Sequence, residues 1–199
     1  DLQAKNVQLH ADSVTFTAVM DQQQVQIRLP IPGRFTVYNA MTVLGIASQL
    51  GISLSDAGKA LATAKGVKGR VEVVPTPGTD FTVLIDYAHT PDGLENVLAS
   101  VRDFCKGRLI AVFGCGGDRD PIKRPIMGRI GVTLSDIAVI TSDNPRTEEP
   151  AAIISDILKG VSEDMGKYFV IENRKKAIAY AMDIAQKNDM IVLAGKGHE

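Results

Sequence analysis

A chain of 199 residues carrying 22 Lys and Arg, 23 Asp and Glu and a net charge of −1 makes no electrostatic case for a nucleic-acid or membrane partner. Its 45% hydrophobic and 23% charged content is ordinary for a folded protein, and the length suits one large domain or two small ones. No apolar run approaches the ~18 residues of a membrane span and no signal peptide opens the chain, while Cys105 and Cys115 fit neither a disulfide framework nor a zinc spacing.

A reducing compartment is therefore expected; a cytoplasmic location and a monomer are further expectations that composition alone does not supply. The sequence opens at Asp1 without Met and stops at Glu199, just after a Gly-rich turn, so a piece of a longer protein is expected too. Residues 13–20 and 24–29 alternate in polarity and are rich in β-branched side chains, with a polar turn at 21–23 between them. They predict an antiparallel hairpin with one wet face. Pro30–Gly33 breaks the pattern. Residues 35–50 then follow at helical spacing, with Val37, Met41, Leu44 and Leu50 near one face and Gly51 as the stop. Ser53 or Ser55 opens a second short helix over 56–64. Lys65–Gly69 reads as a linker, so the expected division is 1–68 and 69–199.

Beyond the linker the pattern changes. Strands are predicted at 71–74 and 82–85, on either side of the turn-rich stretch 75–80. Further apolar strands at 109–113, 137–140, 168–171 and 190–194 alternate with helices over 91–106, 122–133, 151–161 and from Asn173 to about 186. Thr90 is the expected N-cap and Pro91 the first residue of the helix whose stripe is Leu94, Val97, Leu98 and Val101. Strands apolar on both faces, alternating with helices, predict an α/β fold: a mostly parallel, Rossmann-like sheet covered on both sides. Right-handed crossovers gather the strand C-termini at one edge, where ligands bind. Four loops meet there: Asp86–His89, Gly114–Asp120, Ser142–Arg146 and Gly195–Glu199. Each is ionisable or Gly-rich, whereas the loops at the other edge, such as Lys106–Gly107 and Lys187–Asp189, carry much less chemistry.

Taken one at a time these loops are ambiguous. Asp143-Asn-Pro-Arg146 could clasp a zwitterion, with Arg146 on its carboxylate and Asp143 on its ammonium. It could equally be a solvated turn in which Asp143 or Thr147 caps the next helix. Gly114–Asp120 could bind phosphate through backbone N–H groups, but Arg119 stands where a dinucleotide fingerprint needs its third glycine. Arg119 could hold a carboxylate there. No phosphate loop ending in Lys-Ser/Thr occurs anywhere. His198–Glu199 lacks the second His of a zinc protease, and no Ser-His-Asp or Cys-His arrangement stands out.

Together the motifs resemble a family. Asp86-Tyr-Ala-His-Thr-Pro-Asp92, Gly114–Arg124, Asp143-Asn-Pro-Arg146 and Gly195-Lys-Gly-His-Glu199 resemble the Mur ligases, as do Pro32-Gly-Arg-Phe with Asn39 and Gly69-Arg-Val-Glu72. Each is modest alone, but six in order along nearly the whole chain are specific. The resemblance implies that 1–68 is the end of a central ATP-binding domain and that 69–199 is most of a C-terminal amino-acid-binding domain. It implies ATP and Mg²⁺ as cofactors, and ligation of an amino acid to UDP-MurNAc-L-Ala-D-Glu through an acyl phosphate. Asn39, Arg70, Asp86 and His89 match nucleotide contacts. Arg119, Asp143, Asn144, Pro145, Arg146, Gly195 and Glu199 match the pocket for the incoming amino acid. Asp-Asn-Pro-Arg marks the branch that takes meso-diaminopimelate. A lysine-adding or folylpolyglutamate-type ligase, and a non-catalytic Rossmann-like binding module, are the rival expectations. No catalytic residue and no metal ligand is assigned within 1–199. The family's phosphate loop and carbamylated lysine belong upstream, so this segment alone is expected not to turn over.

Overall fold

In a computed structural model that describes residues 1–197, the chain forms two compact units, Asp1–Val67 and a second beginning at Lys68. The first unit is a three-stranded antiparallel sheet with two helices. Its strands are β1 (Leu2–Leu9), β2 (Val14–Met20) and β3 (Gln23–Leu29), in the order β1-β2-β3. Alternation in β2 buries Val14, Phe16 and Ala18, and Ile27 and Leu29 join them from β3. The sequence reading assigns no element before residue 13, yet β1 pairs along β2. It is a mostly exposed edge strand, and its register slips between Lys5 and Gln8, with Asn6 at φ 53°. Such a strand has little alternation to read.

Helix α1 (Arg34–Gln49) lays Val37, Ala40, Leu44 and Ala47 on this sheet. Leu50, expected on that face, is instead the C-cap and is 72% exposed. Ser53 rather than Ser55 caps α2 (Leu54–Ala62), accepting the Asp56 N–H at 3.1 Å.

The second unit is a six-stranded sheet built from β4 (Glu72–Val74), β5 (Thr82–Asp86), β6 (Leu109–Phe113), β7 (Ile137–Ile140), β8 (Lys167–Val170) and β9 (Met190–Ala194). Its order is β4-β5-β9-β6-β7-β8; β4 is antiparallel to β5 and all other pairs are parallel. The connecting helices are α3 (Pro91–Arg102), α4 (Lys123–Leu134), α5 (Pro150–Leu158) and α6 (Arg174–Ile184). Thr90 caps α3 with Pro91 in the first turn, and Asn173 caps α6. Strand β6 is buried at every residue, as a strand covered on both faces must be. Ile110 and Val112 pack with Ala177 and Ala181 of α6. Phe113, facing the other way, lies where a Cβ on Gly131 of α4 would be. Helices α3, α4 and α5 therefore share one face and α6 takes the other. The chain leaves β7 toward the first face and β8 toward the second. That reversal opens a crevice at the carboxyl edge.

The opposite edge is fastened by Asp189, a residue to which the sequence reading gave no role. Its buried carboxylate accepts the Arg108 backbone N–H at 2.7 Å, Arg108 Nη2 at 2.6 Å and the Gln186 N–H at 2.8 Å. Burial by itself would raise this carboxyl, but the hydrogen bonds from Arg108 and the backbone outweigh it and hold it below the ordinary range. A carboxyl depressed by folding contributes stability above its unfolded pKa and loses it as the pH falls through the folded value. Asp189→Ala should lower stability by about 3 kcal/mol, the usual cost of orphaning one member of a buried pair, in urea denaturation followed by circular dichroism. The loss on acidification below about pH 4 should also be shallower in the variant than in the parent.

Candidate functional site

The four loops expected at the carboxyl edge converge on one cleft of about 310 Å³. It is lined by Tyr87, His89 and Thr90 after β5, Gly116, Arg119, Asp120 and Lys123 after β6, Asp143, Asn144 and Arg146 after β7, and Gly195 after β9. Of the residues singled out in the sequence, His89, Arg119, Asp143, Asn144, Arg146 and Gly195 are thus brought together. Glu199 lies outside the described residues. Asn39 is exposed on α1, in the first unit.

The cleft is shaped by backbone contact. A Cβ on Gly114 would strike the Thr141 carbonyl, and one on Gly117 would strike the Pro145 carbonyl. The loops after β6 and β7 are joined across this contact. The Gly117 N–H donates to the Asn144 carbonyl at 2.8 Å, and Arg146 Nη1 donates to the Gly117 carbonyl at 2.7 Å. Thr147 donates from Oγ1 to Asp118 Oδ1 at 2.7 Å and from its N–H to Oδ2 at 3.2 Å. The Thr147 hydroxyl, then its backbone N–H, hold the Asp118 carboxyl below its usual value. Helix α5 begins after Glu149, so neither Asp143 nor Thr147 caps it; the loop is committed to its neighbour instead.

Asp86 is 7% exposed, with Oδ1 accepting the Ala88 N–H at 2.8 Å and Oδ2 the Val71 N–H at 2.9 Å. It does not line the cleft. It joins β5 to the segment before β4, where Val71 sits at φ 44°. Arg70 lies 5.1 Å from the centroid of the Tyr87 ring, and the His89 ring lies 4.7 Å from it. His89 Nδ1 lies 2.8 Å from the Tyr87 carbonyl, which can only accept, so this contact needs the proton on Nδ1. Beneath them Gly69 and Gly197 meet with no room for a side chain on either.

Three functional candidates escaped the sequence reading. Lys123 reaches across the cleft and donates to the His89 carbonyl at 2.8 Å. Arg174 and Lys196 line an adjoining cavity of about 670 Å³ that shares Asp143 with the cleft. Lys196 Nζ is 3.8 Å from Asp143 Oδ1, and Arg174 Nη2 donates to the Ala194 carbonyl at 2.8 Å. Lys196 stood inside a quoted motif, between Gly195 and Gly197; Arg174 looked like any first-turn helix residue. Cys115 lies in the Gly-rich loop, but burial pushes its thiol up to about 11, so it is no nucleophile at neutral pH.

A mostly parallel α/β unit with a charged, ligand-sized cleft at its carboxyl edge is a Rossmann-like architecture, the kind in which small-molecule sites form at that edge. The comparisons with known proteins identify its family. Residues 69–197 match the family model described as "Mur ligase, glutamate ligase domain", and the chain belongs to that family. It is 51% identical over 200 residues to the UDP-N-acetylmuramoyl-L-alanyl-D-glutamate–2,6-diaminopimelate ligase of Clostridium botulinum, covering 100% of this chain and 41% of that protein. The enzyme of the same name from Clostridium tetani is 52% identical over 201 residues, again covering 100% of this chain and 41% of the relative. A solved structure of a UDP-N-acetylmuramoyl-L-alanyl-D-glutamate–2,6-diaminopimelate ligase superposes with a TM-score of 0.80 at 35% identity, over 100% of this chain and 40% of that one. The chain thus spans about two fifths of the relatives it matches.

Because Gly117 has no space for a methyl group, Gly117→Ala should part the two loops. Amide exchange measured by NMR should then show lost protection at Gly117 and Thr147, with the strands β6 and β7 still protected.

Proposed function

We propose that this chain is part of an ATP-dependent amide ligase that adds meso-diaminopimelate to UDP-MurNAc-L-Ala-D-Glu, a cytoplasmic step of peptidoglycan synthesis. Residues 1–68 would be the end of its central ATP-binding domain and residues 69–199 most of its amino-acid-binding domain. In that reaction the γ-carboxylate of the dipeptide is phosphorylated by ATP, the incoming amine attacks the acyl phosphate, and phosphate leaves. The observation that carries the proposal is the juxtaposition of Arg119 and Arg146 with Asp143 in one cleft, in a chain half identical to ligases of that name.

The roles follow from charge. Meso-diaminopimelate carries an ammonium and a carboxylate at each end. Asp143, with Lys196 beside it, offers a carboxylate for an ammonium; Asn144 and Gly195 line the wall around it, and Pro145 supports that wall through its carbonyl against Gly117. Arg146 and Arg119 offer planar donors for carboxylates. Lysine lacks the distal carboxylate and would leave Arg146 facing nothing, which favours diaminopimelate over the lysine-adding alternative. Glu199 belongs to the same proposed pocket by its motif. Asn39, Arg70 and His89 are the proposed nucleotide contacts, with Asp86 supporting them. Asp86 would act by fixing the loop that carries Tyr87 and His89, since its own oxygens serve backbone N–H groups.

Mg²⁺ would offset phosphate charge in such a reaction. Among the described residues no three His, Cys, Asp or Glu side chains converge. No described helix is long and apolar enough to cross a membrane.

The test is made on the full-length ligase, by phosphate release. Arg146→Ala should raise the KM for meso-diaminopimelate by about ten- to a hundredfold, the worth of a charged hydrogen bond, and leave the KM for ATP in place. Unchanged diaminopimelate kinetics would refute the role given to Arg146.

A further inference from the structure

The loop that carries Arg146 is held in an improbable shape from behind. Arg146 and Asp118 both sit at φ 52°, in the left-handed region that non-glycine residues seldom occupy. A loop free to relax would leave that region and swing the Arg146 side chain out of the cleft. What opposes relaxation lies outside the cleft, behind the β6 and β7 loops. Glu148, two residues after Arg146, takes Arg124 of α4 in a two-pronged pair, Nη2 to Oε1 at 2.7 Å and Nη1 to Oε2 at 2.9 Å. The same Oε1 accepts the backbone N–H of Asp118 at 2.6 Å. Asp118 in turn holds Thr147, which adjoins Arg146. The Arg124 side chain is 3% exposed within α4, and that burial anchors the guanidinium to the body of the domain; it also bonds Asp156 of α5 at 2.9 Å. Its charge is permanent at any working pH, and the Glu148 and Asp156 carboxylates press its pKa still higher against the cost of burial.

Resting on the reading of Arg146 given above, we propose that Glu148, clamped by Arg124, is a positioning residue for amino-acid selection: it locks the Asp118–Thr147 bridge and thereby aims Arg146. It touches no substrate. An amide at this position cannot reproduce its bonding. Gln has one acceptor oxygen for the Asp118 N–H and turns an NH₂ group toward a guanidinium that can only donate. Asp156 supplies the internal comparison. It pairs with the same Arg124 and with Lys159 on α5, but has no bond to the loop that holds Arg146.

The readout is the ratio of kcat/KM for meso-diaminopimelate over L-lysine in the full-length ligase, which a general loss of folded enzyme does not move. Glu148→Gln should lower that ratio by about tenfold, as misalignment of one charge-assisted contact would, chiefly through the diaminopimelate KM. Asp156→Asn should lower the melting temperature and leave the ratio unchanged. Thr147→Val, at an exposed position, removes the shorter, hydroxyl bond of the same bridge from its other side and should lower the ratio also; it carries the test should Glu148→Gln not fold. Arg146→Ala is measured in parallel. A ratio that collapses in Arg146→Ala but holds in Glu148→Gln or, failing that protein, in Thr147→Val overturns the positioning role alone. A ratio that holds in Arg146→Ala overturns the underlying reading of the cleft.

Discussion

The site depends on two backbones lying in direct contact. Where Gly114 and Gly117 pass Thr141 and Pro145, there is no room for even a methyl group between the loops after β6 and β7. Parallel neighbours in a sheet place their C-terminal loops side by side, but ordinary side chains would hold those loops apart. Removing the side chains lets main-chain carbonyls and N–H groups of one loop satisfy those of the other, as in the pairs of Gly117 with Asn144 and with Arg146. The result is a single two-ply wall. Arg119 and Arg146, 27 residues apart by number, become neighbours on it.

Charge is divided between construction and display. The carboxylates of Asp86, Asp118, Asp136 and Asp189 each accept backbone N–H groups and tie one segment to another. Arg119, Lys123 and Arg146 are held at the cleft instead. A net charge of −1 therefore conceals a cleft of mixed sign, in which Arg119, Lys123 and Arg146 stand with Asp120 and Asp143. This is how a chain with no overall electrostatic bias can still present donors to a small anionic group.

The sequence made the second unit nearly transparent and the supports of its site opaque. Uniformly apolar strands such as 109–113 and 137–140, punctuated by Thr90-Pro91 and Asn173, announce parallel β/α units through local rules alone, and those rules place the four loops at one edge. The outlying β1 was invisible because an exposed, bulged edge strand has no buried face to pattern it. Asp86 stood out in its motif as a polar residue, but its two backbone bonds depend on where Val71 falls, 15 positions earlier. Arg124, Glu148 and Asp156 are separated by 24 and 32 positions and obey no period. An ion cluster around the buried Arg124, assembled from α4, a loop and α5, exists only once the helices are packed.

That opacity has a physical cause bearing on how such sites diverge. A residue that touches ligand must offer particular chemistry, so its type and its place in a loop carry information by themselves. A residue that aims it needs only to reach the right atom from somewhere, and several positions can do that. Arg146 carries the first kind of information, in a tetrapeptide that can be read directly. Glu148 and Arg124 carry the second kind. A flexible guanidinium on a loose loop would lose much of its discrimination to conformational entropy, since it could turn from a missing carboxylate toward water. Holding its backbone in the left-handed region, against a wall fastened to α4 through Arg124 and Glu148, removes that escape. On the proposed reading, specificity would depend as much on the unreadable supports as on the readable arginine.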